Sequence, residues 1–313
     1  MATQLKQAVL AGWLCERIGL TLIGPDRDIR AICTLDTLEE GGLSFVLPGR
    51  RIEHARCGTV VALSELGGNG VSVIGSADPR YDFIRAQYLL EQSPGFARPA
   101  APPEIHPSAR ISPGAVIENG VTIGEGTVIG PNAVVRSGAR IGRHCEIKSG
   151  AVICDSGFGF ERDRQNRPIR MVHLGGVRIG DHVEVGALTT VVQGALADTV
   201  IEDHVKINDH VHIAHNCHIG EGTIIGGSAY LSGSIRVGRN CWISPNCSIR
   251  QKLTIGEEAI VGIGAVVVRN VEARSTVYGN PARKAAMAAD HSPTGVLPVH
   301  HDPRQDRSGT EPK

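Results

Sequence analysis

Aromatic residues are scarce in this 313-residue chain, only 4% of it, with five Phe, four Tyr and two Trp. A core of that size cannot be filled by rings, so aliphatic side chains must fill it. Net charge is also missing, since 32 Lys and Arg balance 32 Asp and Glu. That removes the basic excess which the phosphate contacts of a nucleic-acid binder require. No apolar run approaches the ~18 residues of a membrane span. The first residues carry no long apolar stretch with a cleavage site, as an export signal would. Eight cysteines form no C-x-x-C pair and no compact framework. They suit free thiols in a reducing compartment, and the expectation is a cytoplasmic protein. What is abundant is glycine, at 39 residues, well above the usual share of ~7%.

The aliphatic residues keep a strict period. Ile105, Ile111, Ile117, Ile123, Ile129, Val135, Ile141, Ile147 and Ile153 fall six apart. The beat returns at Ile179, Val185 and Val191, then runs from Ile201 to Val267 without a miss. Neither a helix, with period 3.6, nor a lone strand, with period 2, produces a period of six. A parallel β-helix does, because each flat face is one short strand and each coil stacks on the last. The period resembles that of the left-handed β-helix of hexapeptide-repeat acyltransferases, whose three hexads per coil would imply about eight coils and a prism of roughly 38 Å. Two interruptions break the period, one between Ile153 and Ile179 and one around Gly194–Ala197. Excursions from a solenoid commonly serve binding, so both are candidate pocket walls.

The flanks differ. In residues 1–100, Leu5, Val9, Leu10, Trp13 and Leu14 suit an amphipathic helix. Short buried strands are expected at 45–47, 59–62 and 71–74, and a second helix at 81–90, which together make a small α/β head. Prolines 99, 102, 103 and 107 mark the joint to a β-helix domain over 101–283. Residues 284–313 read as a short Ala-rich segment and a disordered tail.

Histidine is dense near residue 210, with His204, His210, His212, His215 and His218. His215 follows the inward Ile213 by two positions and should project from the prism. One coil of eighteen residues later stands Gly233, whose backbone N–H would lie one strand spacing away with no Cβ between. Neutral imidazole is a natural general base near pH 7, and a bare amide can stabilise an oxyanion. That pair meets the minimum for acyl transfer.

Beyond the period, the head, the loop Asp155–Phe160, the run Thr189–Thr199 and Ile213-Ala214-His215-Asn216 stand in one order. That order is similar to the UDP-3-O-acylglucosamine N-acyltransferase family of the lipid A pathway. The resemblance covers residues 1 to about 270. It implies a homotrimer with sites between neighbouring prisms, a carrier-protein thioester as donor and the amine of a UDP-aminosugar as acceptor. It also implies His215 as the base and Gly233 as the oxyanion donor. No metal or cofactor is expected, only the co-substrate, acyl carrier protein or coenzyme A thioester. Phe45 and Arg51 of the head, Phe158 and Phe160 of the loop, and Asn208, Asp209, His210, Asn216 and Lys252 are the expected substrate-binding residues.

Departures from the family pattern are specific. Val192-Gln193-Gly194 replaces Asp-Arg-Gly, Arg51 stands where a Tyr grips uracil, and Lys252 replaces a second histidine. Tyr278-Gly279-Asn280-Pro281-Ala282-Arg283 resembles the ending of coenzyme A-dependent sugar acetyltransferases. Arg236, Arg239, Arg250, Lys252, Arg269, Arg274, Arg283 and Lys284 predict a positive C-terminal end that would attract an anionic donor. The rival readings are a coenzyme A-dependent sugar N-acetyltransferase, a zinc enzyme of the γ-carbonic anhydrase type using His173, His210 and His215, and an inactive scaffold.

Overall fold

The structure, a computed structural model, describes residues 3–50, 52, 57–66 and 70–284. Three parallel sheets, with eight successive coil strands to a face, enclose the prism. The first face begins at Glu104–Ile105, the second at Arg110–Ile111 and the third at Val116–Ile117. Each strand pairs with the one a coil away, as Ile207 does with Ile225 and Ile213 with Leu231. The hexad residues point inward as columns, with Ile129, Val135, Ile147, Ile213 and Ile243 fully buried. Two positions earlier in each hexad a smaller residue also faces in, such as Ala133, Cys145, Ala229 or Cys247. Large and small residues thus alternate around an aliphatic core, which explains how the chain folds with so few rings.

Each corner needs one residue in the left-handed region, three positions after the inward aliphatic. Asn132, His144, His182, His204, His210, Asn216, Asn240 and Lys252 all sit there with φ between 53° and 62°. Asn and His tolerate this conformation better than most residues. Much of the histidine density is therefore turn chemistry. His144, His182 and His204 stack as a ladder, their centroids 5.2 and 4.9 Å apart.

The head is a six-stranded mixed sheet with two helices. Its elements are β1 (Thr3–Leu10), α1 (Ala11–Ile18), β2 (Thr21–Ile23), β3 (Asp28–Ile32), β4 (Gly42–Phe45), β5 (Thr59–Ala62), β6 (Ser72–Gly75) and α2 (Pro79–Gln92). The sheet order is β1-β3-β4-β5-β6-β2, with parallel pairing from β3 to β6 and antiparallel strands at both edges. The helix expected over 5–14 begins only at Ala11. The residues before it form edge strand β1, antiparallel to β3 and interrupted by a register shift between Gln4 and Val9. Leu5 is buried there while Leu10 is 47% exposed, so no helical apolar stripe runs through them. Asp78 caps α2 by accepting the Tyr81 N–H, with Pro79 at the first helical position, a favoured start.

Candidate active site

Both interruptions leave the prism at one edge, where the third face turns into the first. The first, after Val152–Asp155, forms an antiparallel hairpin of Phe160–Arg162 and Pro168–Arg170. The second follows Thr190–Val192 one coil later. His215 and Asn216 turn the same edge on the next coil, Gly233 on the one after, and Lys252 above that. The two excursions also carry the head. Met171 and Leu196 are buried among Leu5, Leu14, Phe83 and Phe96. Arg80 pairs with Glu161 at 3.0 Å, the Gln87 amide donates to the Val172 carbonyl, and the Arg170 N–H donates to the Tyr88 hydroxyl.

His215 lies directly on Gly233. A Cβ at residue 233 would come 2.5 Å from His215 Cε1 and 2.6 Å from Nε2, so any other residue would displace the ring. The orientation of the ring follows from Asn216. The Ala195 N–H donates to Asn216 Oδ1, and Asn216 Nδ2 donates to the Ala197 carbonyl. This fixes Oδ1 as the atom 3.1 Å from His215 Nδ1. Nδ1 must then carry the hydrogen, which leaves Nε2 as a bare lone pair. Asn216, expected to bind substrate, has its amide occupied by the protein and holds the His215 ring.

At several corners the N–H at the position of Gly233 is taken by a carboxylate of a neighbouring coil. The corresponding N–H of Arg143 goes to Asp181, that of Asp181 to Asp203, and that of Ala187 to Asp209, at 2.7–2.8 Å. The Gly233 N–H makes none of the hydrogen bonds found among the described residues. An imidazole with a bare nitrogen therefore adjoins a free amide donor, a pairing that proton removal and oxyanion stabilisation would require.

His173, at the end of the first excursion, is the neighbour that the sequence reading did not assign to His215. Its ring centroid is 5.3 Å from that of His215, with the planes at 63°, and it is 7% exposed. Gly157 and Gly159 close over it, since their Cβ atoms would come within 2.5 and 2.8 Å of the ring. Burial pushes its pKa down to about 4, and nearby His215 pushes in the same direction. The available signal was position, because His173 stands one hexad before Ile179.

Other expected residues lie elsewhere. Asn208, Asp209 and His210 occupy the preceding edge, between the second and third faces. There Asp209 accepts from Ala187 N–H and Asn208 from Asp209 N–H. One strand of the third face separates them from His215 within a chain, so the histidines of the zinc reading do not converge. Phe45 is half-buried against Phe83, centroids 4.7 Å apart. Arg51 and residues 285–313 lie outside the described residues. Phe158 is 85% exposed, its ring turned outward by the loop. Phe160 packs edge-on against it and beneath the Arg170 guanidinium, 4.6 Å away. The positive C-terminal end is only partly so, since Arg239 and Arg274 pair with Glu257 and Glu258. Arg250, Lys252 and Arg269 remain exposed, continuing up the His215 edge.

The bacterial transferase hexapeptide family model matches residues 102–137, 122–155 and 198–233. The model of the hexapeptide repeat of succinyl-transferase matches 217–251. The fold is the left-handed parallel β-helix of hexapeptide repeats. In sequence the chain is similar to UDP-3-O-acylglucosamine N-acyltransferases. The enzyme of that name from Paracidovorax citrulli is 36% identical over 229 residues, 66% of this chain and 66% of the relative. That from Delftia acidovorans is 36% identical over 221 residues, 64% of this chain and 65% of the relative. The chain thus covers just under two thirds of the length of these relatives. Among solved structures, UDP-N-acetylglucosamine acyltransferase from Campylobacter jejuni is similar with TM-score 0.49 and 24% identity, over 59% of this chain and 75% of that one. No described helix is long and apolar enough to cross a membrane.

Proposed function

We propose that the protein transfers an acyl group from a thioester to the amine of a nucleotide-linked aminosugar. The observation that carries this reading is the packing of His215 on Gly233, with Nδ1 tied to Asn216 and Nε2 bare. The amine nitrogen attacks the thioester carbonyl carbon and gives a proton to His215 Nε2. The Gly233 N–H stabilises the oxygen of the tetrahedral intermediate. Collapse breaks the carbon–sulfur bond, and the imidazolium returns the proton to the departing thiolate. The names of the relatives support a UDP-aminosugar as acceptor. Arg250, Lys252 and Arg269 form an anion-attracting strip leading to the base, suited to an acyl carrier protein or to coenzyme A.

We assign the working state to a homotrimer in the cytoplasm. In support, the outward residues of the third face are Val116, Val134, Val152, Thr190, His212, Tyr230, Ser248 and Val266, none carrying a carboxylate, ammonium or guanidinium. The first face, by contrast, presents Glu104, Arg140, Arg178 and Arg236. An uncharged strip along one face is what a subunit contact needs. All eight cysteines are free, which suits a reducing compartment. The decisive experiment offers purified protein acyl-carrier and coenzyme A thioesters with UDP-linked aminosugars. Amide formation that disappears in His215→Ala is expected, and no transfer from any thioester would remove the assignment.

A further inference from the structure

We propose that His173 is a second acceptor in the reaction site. Its Nε2 takes one hydrogen of the attacking amine while His215 takes the other, so that the site selects an amine over a hydroxyl. The inference rests on the transferase reading above and adds a specificity residue to it.

His173 Nδ1 lies 3.1 Å from the Met171 carbonyl oxygen, which can only accept. Nδ1 therefore holds the hydrogen and Nε2 keeps its lone pair. That Nε2 is one of the few buried side-chain polar atoms with no hydrogen-bond partner among the described residues. Buried acceptors are almost always satisfied, so an exception needs an explanation. Burial, helped by the nearby His215 and Arg170, holds the pKa near 4, and the ring stays a neutral acceptor around pH 7.

His215 has the same tautomer for an independent reason, its Nδ1 being tied to Asn216 Oδ1. Two adjoining imidazoles, 5.3 Å between centroids, thus each present a bare nitrogen and offer no N–H to the reacting group. A primary amine has two hydrogens. Holding both leaves its lone pair a single direction, toward the thioester carbon. A hydroxyl has one hydrogen, and binding it would leave one of the two nitrogens unmet, which disfavours it. His173 only accepts a hydrogen bond, while the transferred proton passes through His215 to the thiolate.

In the observed state Gly157 covers His173 Nε2, so the amine reaches it when segment 156–159 lifts. The segment is suited to that movement. Only glycines rest on the ring, and Phe158 lies outside any core at 85% exposure. The Gly157 and Gly159 carbonyls are held by single hydrogen bonds, from Arg170 and the Met171 N–H.

The test compares His173→Asn with His173→Gln. Asn keeps a donor for the Met171 carbonyl and removes the acceptor at the Nε2 position, whereas Gln returns an amide oxygen there. Each full-length variant is assayed with a UDP-aminosugar and with the hydroxyl analogue of the same sugar, using one thioester donor. His173→Asn should lower kcat/KM for the amine about 10–100-fold, largely through KM, with slow transfer to the hydroxyl unchanged. His173→Gln should recover most of the loss, and neither variant should melt markedly lower. The proposal is overturned if His173→Asn keeps its amine kcat/KM within twofold, if both acceptors suffer equally, or if Gln fails to rescue a folded protein. Wild type inert toward both acceptors would instead overturn the transferase reading and the proposal with it.

Discussion

Gly233→Ala tests the site without touching a polar group. The φ of Gly233 is not in the left-handed region, so Ala is compatible with the backbone and restricts the unfolded chain, a gain of roughly 0.4–1 kcal/mol. Against this, the new methyl would lie 2.5 Å from His215 Cε1, where carbon contacts need about 3.5 Å. The imidazole must retreat by about 1 Å, which also stretches its 3.1 Å bond to Asn216. Displacement of a reacting group by that amount costs on the order of 10²-fold in rate. Single-turnover acyl transfer and thermal melting of the same sample read both consequences. The expectation is a ~10²-fold loss of kcat/KM with Tm shifted by no more than a few degrees. Gly227→Ala is the control, at the equivalent turn position one edge away, where the nearest atom to a Cβ is the Asp209 carbonyl at 3.3 Å. It should leave turnover unchanged. Full activity in Gly233→Ala, or equal loss in the control, would refute the placement of the base.

Three further outcomes are expected. His215→Ala should fold and keep its oligomeric state while turnover falls ~10²–10⁴-fold, measured by product formation and sizing. Asn216→Ala should lower kcat by ~10-fold or more with little change in KM, because the base loses its fixed tautomer. Stability should fall as the medium is acidified. His173 is neutral in the fold down to about 4, whereas in the unfolded chain it protonates near 6.5. Between those values the unfolded state binds more protons, so its contribution is complete above pH 6.5 and is lost toward pH 4. About 3 kcal/mol is at stake, with Arg170 and His215 beside the ring. Urea midpoints at pH 7 and 4.5 should therefore diverge less in His173→Asn than in wild type, and an identical pH dependence would contradict this.

The prism was legible because a period of six is imposed by geometry on every coil, from Ile105 to Val267. Stacking arithmetic then placed Gly233 beside His215, since eighteen residues make one turn wherever no insertion intervenes. The same arithmetic failed for His173, because the excursion between Ile153 and Ile179 breaks the count and only tertiary packing returns the ring to the edge. The period also separates His210 from His215, because they follow Ile207 and Ile213 on successive faces and so turn different edges. The start of α1 was misread because β1 is an edge strand whose exposed residues follow no core periodicity. The hold of Asn216 on the His215 ring was not legible, because it depends on the Ala195 and Ala197 backbone groups, which no local pattern announces.

Met171 and Leu196 belong to the core of the head, yet the segments that bear them end at His173 and anchor Asn216. The head is mounted on the loops that hold the chemistry, with no rigid coil between them. A shift of the head would first be felt by the backbone that steadies both imidazoles, and lengthening either loop is expected to misalign them while leaving the prism untouched.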